Sequence, residues 1–226
     1  MPWELRFFSN KTNDYDKVEK WFRSIDDNFE TEKRDDMYIY SPESLDLGIK
    51  IRQGTKNNNN NKDGVSKPPA KLEIKWRRRR SPRFHLRDGR VNGILEEWIK
   101  WGWNSGPNES NDYKVDFFSD IPRGPGITIA KDRSVRRYVF DKNNNIVRST
   151  KWIKDGEDGL NCEITKIASR NTNWWSIGFE GFGNKHKNNR EELFCYFLEK
   201  IMKDFPIRLE ENSSCGYPEW ISRNFD

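Results

Sequence analysis

The decapeptide Lys71–Arg80, KLEIKWRRRR, constrains this chain more than any other stretch. In an extended strand successive side chains point to opposite faces. Leu72, Ile74 and Trp76 therefore share one face, and Glu73, Lys75 and Arg77 the other. One face can pack on a core. The other presents a row of charges that must meet water, counter-charges or a ligand.

The same alternation recurs along the chain. WELRFF sets Trp3, Leu5 and Phe7 against Glu4, Arg6 and Phe8, and LGIKIR sets Ile49 and Ile51 against Lys50 and Arg52. Further strands are predicted at Met37–Tyr40, which the turn Ser41-Pro42 ends, and at Tyr113–Phe118, Ile127–Lys131, Ser134–Asp141, Ile146–Ile153, Asn161–Ser169 and Trp174–Gly181. Ile94–Trp101 fits a helix or a strand, and the strand is favoured. Apolar residues at three- and four-residue spacing predict helices over about Asp14–Asp26 and Asn189–Lys203. Arg80–Arg90 reads as a basic turn region, and Gln53–Pro69, with five consecutive Asn, as a flexible connection. The tail after Phe205 (204–226) is expected to be irregular. No internal repeat or domain boundary interrupts 1–226. The fold class that follows is α+β, mainly antiparallel β, with eight to ten strands in a barrel or strongly curved sheet and helices over part of its outside.

Composition narrows the class further. Hydrophobic residues make up 33% and charged residues 34%, so the core is thin for 226 residues; 10 Trp, 14 Phe and 7 Tyr nevertheless argue against disorder. The net charge of +5 favours an anionic partner. Three cysteines without metal-type spacing suit a reduced compartment, and two isolated histidines argue against a histidine metal site or a Ser/His triad. Met1-Pro2-Trp3-Glu4 opens directly on strand-like sequence, and no apolar run approaches the roughly 20 residues of a membrane helix. A cytoplasmic protein without membrane contact is expected.

Two arrangements satisfy the alternation: ionic faces outside around an apolar filling, or ionic faces lining a lumen. The first is usual for antiparallel sheets. The charged faces here are mostly basic in the early strands, however (Arg6, Lys50, Arg52, Lys75, Arg77), with Arg136 later, and a one-sign row repels itself across neighbouring strands. A polar-lined barrel holding a polyanion accounts for this, with the aromatics forming an outer shell against the helices. Isolated acids stand among these bases: Glu4, Glu73, Glu163 and Glu180. Basic side chains neutralise phosphate oxygens, while carboxylates recruit a hard divalent ion. Together they are the parts of metal-assisted phosphoryl chemistry, although each acid taken singly also suits a strand salt bridge.

In order of motifs the chain resembles the CYTH superfamily, the triphosphate tunnel metalloenzymes. WELRFF stands at the family's ExExK-type strand, and MYIYSPESLDLGIKIR at its next turn and strand. KLEIKWRRR, SVRRYVFD, NCEITKI and WWSIGFEGFG complete the series before the final helix. The resemblance implies a closed or nearly closed eight-stranded antiparallel tunnel barrel, open at both ends and with a charged lumen, hydrolysis of a triphosphate or similar polyphosphorylated small molecule, and Mg²⁺ or Mn²⁺ as cofactor. Carried over by position, Glu4, Glu163 and Glu180 are metal-site acids. Glu4, Glu180 and Lys75 are the residues expected to carry the chemistry. Arg6, Lys50, Arg52, Lys75, Arg77, Arg133 and Arg136 are expected to bind phosphates. Leu72, Ile74 and Trp76 are then expected to pack beneath a helix, and Arg78–Arg80 to be the strand's exit.

The departures are specific. The second acid of ExExK is Arg6, its lysine is Phe8, and the first acid of the late acidic pair is Gly178. Losing carboxylates while keeping bases lowers metal affinity more than anion affinity, so a binding module without chemistry is the alternative function. A nucleic-acid site at Trp76–Arg83, WRRRRSPR, is a third possibility against a solvated basic turn.

Overall fold

The structure is a computed structural model, and it describes residues 3–25, 28–39, 43–52, 71–86, 89–104, 126–141, 143, 145–149, 158–183 and 190–225. The flexible connection expected at Gln53–Pro69 and the strand expected at Tyr113–Phe118 lie outside these residues. Among the described residues, nine strands form one sheet: β1 (Trp3–Ser9), β2 (Glu30–Ile39), β3 (Leu47–Arg52), β4 (Lys71–His85), β5 (Asn92–Asn104), β6 (Gly126–Phe140), β7 (Ile146–Ser149), β8 (Gly159–Ser169) and β9 (Thr172–Phe182). The helices are α1 (Thr12–Ser24), α2 (Arg190–Ile201) and α3 (Tyr217–Phe225). The sheet order β2-β3-β4-β5-β1-β9-β8-β6 closes through a β6–β2 pairing into an eight-stranded barrel, and β7 extends the far half of β6. Every named strand pairing is antiparallel. The expected closed, mainly antiparallel barrel with flanking helices is therefore the observed fold; the expected opening at both ends is not, because α3 packs against Phe8, Tyr38, Ile127, Ile129 and Ile167 at one end of the inner face.

The barrel is apolar outside and ionic inside. On β1, Trp3, Leu5 and Phe7 point outward into the main core. There they meet Tyr15, Val18, Trp21 and Phe22 of α1 and Phe194, Phe197 and Leu198 of α2, all buried. Burying these two helical stripes against the sheet is what lets the opposite faces of the same strands carry charge. The tight β8–β9 hairpin turns at Arg170 and Asn171, both with positive φ (45° and 63°). That conformation matches the twist of the strands it joins, and asparagine tolerates it well.

Several expectations change. Ile127–Lys131 and Ser134–Asp141 are one continuous strand, β6, and β4 runs on to His85 through a bulge between Arg77 and Arg79. Leu72, Ile74 and Trp76 do face outward, but the core beneath α1 and α2 does not include them, and Trp76 is 45% exposed. The tail is not irregular: after a 3₁₀ turn at Glu211–Ser213, α3 forms a second apolar cluster with Phe8, Tyr38, Ile127, Ile129 and Ile167. Those five residues sit at one end of the inner face. Phe8 stacks on Trp220 at 4.7 Å with planes 8° apart, which accounts for an aromatic where the resemblance leads one to expect lysine.

Candidate functional site: a cationic barrel lumen

Register carries the inner face around the barrel. Glu4 pairs with Glu180 and Arg6 with Gly178. Glu163 pairs with Gly178 and Val135, Lys131 with Arg34, Lys50 with Tyr38 and Glu73, and Lys75 with Lys100. Cross-strand partners share a face, so these side chains converge. They enclose a cavity of about 240 Å³ lined by ten Lys or Arg and four Glu side chains. Of the residues predicted from sequence, Glu4, Arg6, Lys50, Arg52, Lys75, Arg133, Glu163 and Glu180 all line it.

Arg136 and Arg77 do not. Arg136 points outward from β6, 1% exposed, and donates to the carbonyls of Phe22 and Asn28. A cation there satisfies the Phe22 carbonyl, which the end of α1 leaves without a helical partner, and ties it to Asn28 beyond the helix. Its neighbour Arg137 is the lumen residue, beside Glu30. The reason is the period of two: counting on from Lys131 along an unbroken β6 puts Arg133, Val135 and Arg137 inside. Arg77 faces inward but is enclosed by Glu96, Glu219 (3.1 Å) and Asp46 (2.6 Å), so it ties α3 to the wall. The rest of the arginine run divides around the bulge. Arg78 lies near Glu97 (3.7 Å), Arg79 over the Trp3 ring and Arg80 on Glu219 (3.2 Å), so these residues make no single basic face.

Sequence reading missed Arg34, Lys71, Lys100, Lys131 and Arg137 as lumen cations, and Tyr217 as part of the cavity wall. The alternation would have found Arg34 and Lys131 had β2 and β6 been read at full length. Gly216, Tyr217 and Pro218, at the N-terminal end of α3, line the cavity as well, so the positive end of a helix joins the side-chain cations.

The lumen acids other than Glu180 are surrounded by bases. Glu73 lies within 3.5 Å of Lys50, Arg52, Lys71 and Lys100. Asp36, fully buried, meets Arg34, Lys50 and Lys131. Burial favours the neutral acid, but Lys75 and Arg6 outweigh it for Glu4 and hold its pKa at about 2. Against the same penalty, cations also hold Asp36, Glu73 and Glu163 far below the ordinary carboxylate range. Among the lumen lysines, Glu4 and Glu180 raise Lys75 against the burial penalty, whereas burial prevails at Lys50 and Lys131. Burial, with Lys131 and Arg34 adding repulsion, pushes Lys50 down to about 7 despite Asp36 and Glu73. Burial and Arg34 push Lys131 down to about 8 despite Asp36. The Nε–H groups of Arg52 and Arg133 are buried and find no hydrogen-bond acceptor among the described residues. Unmet buried donors in a cationic cavity are places for an anion's oxygens.

A resident divalent ion does not fit this arrangement. Glu4 accepts from Arg6 Nε (2.8 Å) and Lys75 Nζ (2.8 Å), and Glu163 from Arg6 Nη1 (3.0 Å), Arg133 and Thr165 (2.9 Å). The Arg6 guanidinium thus already stands between two of the three predicted metal acids. A Cβ at Gly178 would lie 2.5 Å from its Cζ, so the glycine is what leaves it room. Glu180 is the most open acid, 4.0 Å from Lys75. Among the described residues, no three His, Cys, Asp or Glu side chains are grouped to hold a metal.

No family model matches this sequence, and no curated protein matches it. Among solved structures, the Mimivirus capping enzyme triphosphatase is similar at 9% identity, covering 87% of each chain, with a TM-score of 0.46. A candidate adenylate cyclase from Bacillus halodurans is similar at 14% identity, covering 99% of this chain and 96% of its own, with a TM-score of 0.42. A chain of the Schizosaccharomyces pombe Mediator head module is similar at 9% identity, covering 89% and 93%, with a TM-score of 0.49. Identities and scores this low assign neither a family nor an activity. Among the described residues no helix is long and apolar enough to cross a membrane.

Proposed function

We propose that the protein binds a compact polyphosphorylated small molecule, of the triphosphate type, inside the barrel. The observation that carries this is the convergence of ten cationic side chains on one cavity, still in excess when Glu30, Glu32 and Asp36, paired to Arg137, Arg34, Arg133, Lys50 and Lys131, are counted beside its four glutamates. Charges of one sign inside low-dielectric walls repel strongly unless a counter-charge is bound. A phosphate chain supplies several charges and many acceptor oxygens in a small volume, whereas a single carboxylate supplies one. Lys50, Lys131, Arg34, Arg52, Arg133 and Lys75 are the side chains we assign to its oxygens. Arg6, held by Glu4, Glu163 and Ser176, contributes fixed positive charge behind them.

The test is calorimetric titration with tripolyphosphate in the presence of a chelator. Saturable binding is expected, abolished by Lys50→Glu combined with Lys131→Glu. No heat and no competition at low ionic strength would remove the proposal.

Metal-dependent hydrolysis of the same ligand with Mg²⁺ or Mn²⁺ is the second reading. What favours it is the Glu4–Glu180 pair, direct cross-strand neighbours beside Lys75, at a place where an ion carried in on the phosphate chain would meet carboxylate oxygen. Phosphate release that requires Mg²⁺ or Mn²⁺ and is lost in Glu180→Gln supports this reading. Tight binding without release, with or without metal, leaves the binding module.

A further inference from the structure

Arg6 joins two inner acids, Glu4 and Glu163, and all four of their carboxylate oxygens already have donors. Glu4 Oε1 accepts from Arg6 Nε (2.8 Å) and Glu4 Oε2 from Lys75 Nζ (2.8 Å). Glu163 Oε1 accepts from Arg6 Nη1 (3.0 Å) and Thr165 Oγ1 (2.9 Å), and Glu163 Oε2 from Arg133. The guanidinium is 7% exposed, donates also to Ser176 Oγ (3.3 Å), and lies 5.1 Å from the centre of the Tyr217 ring. Its place is reserved from the facing strand, because a Cβ at Gly178 would come within 2.5 Å of Cζ and of Nη2. β1 thus carries an arginine where the resemblance places an acid, and β9 gives up a side chain to receive it. A divalent ion needs several oxygens at about 2.0–2.6 Å. To gain them here it would have to displace Arg6 from both carboxylates. A buried guanidinium would then be left without its anions, beside the added charge of the ion.

Building on the phosphate-site proposal, we infer that Arg6 stands in for a divalent ion between Glu4 and Glu163, and that the lumen takes its polyphosphate as the metal-free anion. The guanidinium neutralises both carboxylates and keeps positive charge at the back of the cavity, two tasks an ion would otherwise perform. Mg²⁺ on the phosphate chain would cancel two of the charges that the lumen cations meet. It would also cover oxygens that Lys50, Lys131, Arg52 and Arg133 are there to bind. Mg²⁺ is therefore a competitor for the ligand. Metal-assisted hydrolysis requires the opposite dependence, so one titration separates the two.

The experiment uses the full chain and two measurements. In the first, tripolyphosphate is titrated calorimetrically at increasing MgCl₂, with ionic strength held constant by KCl. Affinity is expected to follow the uncomplexed fraction of the ligand, weakening about tenfold when about nine-tenths of it carries Mg²⁺. The second follows the free-ion signal of Mn²⁺ by electron paramagnetic resonance, without phosphate. Folded Arg6→Glu, with a third carboxylate in place of the guanidinium, is expected to bind Mn²⁺ about tenfold or more tighter than the wild type. Affinity for tripolyphosphate that Mg²⁺ leaves unchanged or strengthens overturns the inference while leaving the phosphate site in place. Mn²⁺ bound by the wild type as tightly as by Arg6→Glu does the same. Should Arg6→Glu not fold, the Mg²⁺ titration of the wild type decides alone. Absence of tripolyphosphate binding at every Mg²⁺ concentration removes the phosphate reading and this inference together.

Discussion

Arg6 and Gly178 face each other across β1 and β9, and each accounts for the other: the guanidinium occupies space that any side chain at 178 would fill. Gly178→Ala should displace a guanidinium held by Glu4, Glu163 and Ser176, costing about 1–2 kcal/mol of stability by overpacking and lowering tripolyphosphate affinity; urea unfolding and calorimetry read the two effects. An unchanged unfolding midpoint would mean that the side chain swings aside freely. Lys50 and Lys131, at about 7 and about 8, make the lumen charge depend on pH near neutrality. Both pKa values lie below the unfolded value of 10.5. The unfolded chain therefore binds more protons between them, and stability from these two groups rises with pH from about 7 to 10.5. Anion affinity should run the other way, falling about tenfold for each lysine that loses its charge, or ~1.4 kcal/mol. Titrations at pH 6.5 and pH 9 in two buffers of different ionisation heat would show the weaker binding and the proton uptake; affinity rising with pH contradicts the assignment. Much of this site was legible at the residue scale, because a period of two places Glu4, Arg6, Lys50, Arg52, Lys75 and Glu163 without any long-range information. Arg77 shows the limit. Its inward direction could be read, but its partner Glu219 is 142 residues away, and no local pattern announces that pairing.

At the scale of elements, α3 matters most and was least legible. Nine residues with a proline at the second position and apolar side chains at Trp220, Ile221 and Phe225 give too little periodicity to separate a helix from an irregular tail. What makes it a helix is its destination, since the inner ends of β1, β6 and β8 supply Phe8, Ile127, Ile129 and Ile167 as an apolar socket. Helix formation in so short a segment depends on packing rather than propensity. α1 and α2 were legible for the opposite reason, each carrying a full stripe onto the outer sheet face. β6 was misdivided because Asp132-Arg133 reads as a charged break when both faces of the strand are polar there, and that break moved the assignment from Arg137 to Arg136. Trp220→Ala should cost about 3–5 kcal/mol, because a large ring leaves a socket that the barrel cannot collapse. Trp101→Ala, on the outer face and 44% exposed, should cost within about 0.5 kcal/mol. Equal losses in urea unfolding of the two variants would mean that α3 does not plug the barrel.

At the scale of the molecule, the barrel puts its main core outside and its charge inside, and the two choices are linked. A closed sheet has no free edge and can turn its apolar face to α1 and α2, leaving the inner faces of eight strands to be solvated by one another's charges and by whatever the lumen holds. The inner acids are too few to neutralise the inner bases, so the empty protein carries electrostatic strain that a bound polyanion relieves. Ligand binding should therefore appear as folding stability. At a tripolyphosphate concentration of 100 times its dissociation constant, the native state should gain about 2.7 kcal/mol by mass action. For a chain of this size that raises the melting temperature by roughly 5–10 °C. Sodium chloride at matched ionic strength should give much less, because screening acts weakly on buried charges. The shift should shrink at pH 9, where Lys50 and Lys131 have lost charge, and it should persist in chelator, because Arg6 already supplies a fixed cation between Glu4 and Glu163. Thermal unfolding followed by tryptophan fluorescence reads all four conditions. A shift that chloride reproduces, or one that appears only with added Mg²⁺, would place the stabilising anion outside the lumen or make a metal part of its site.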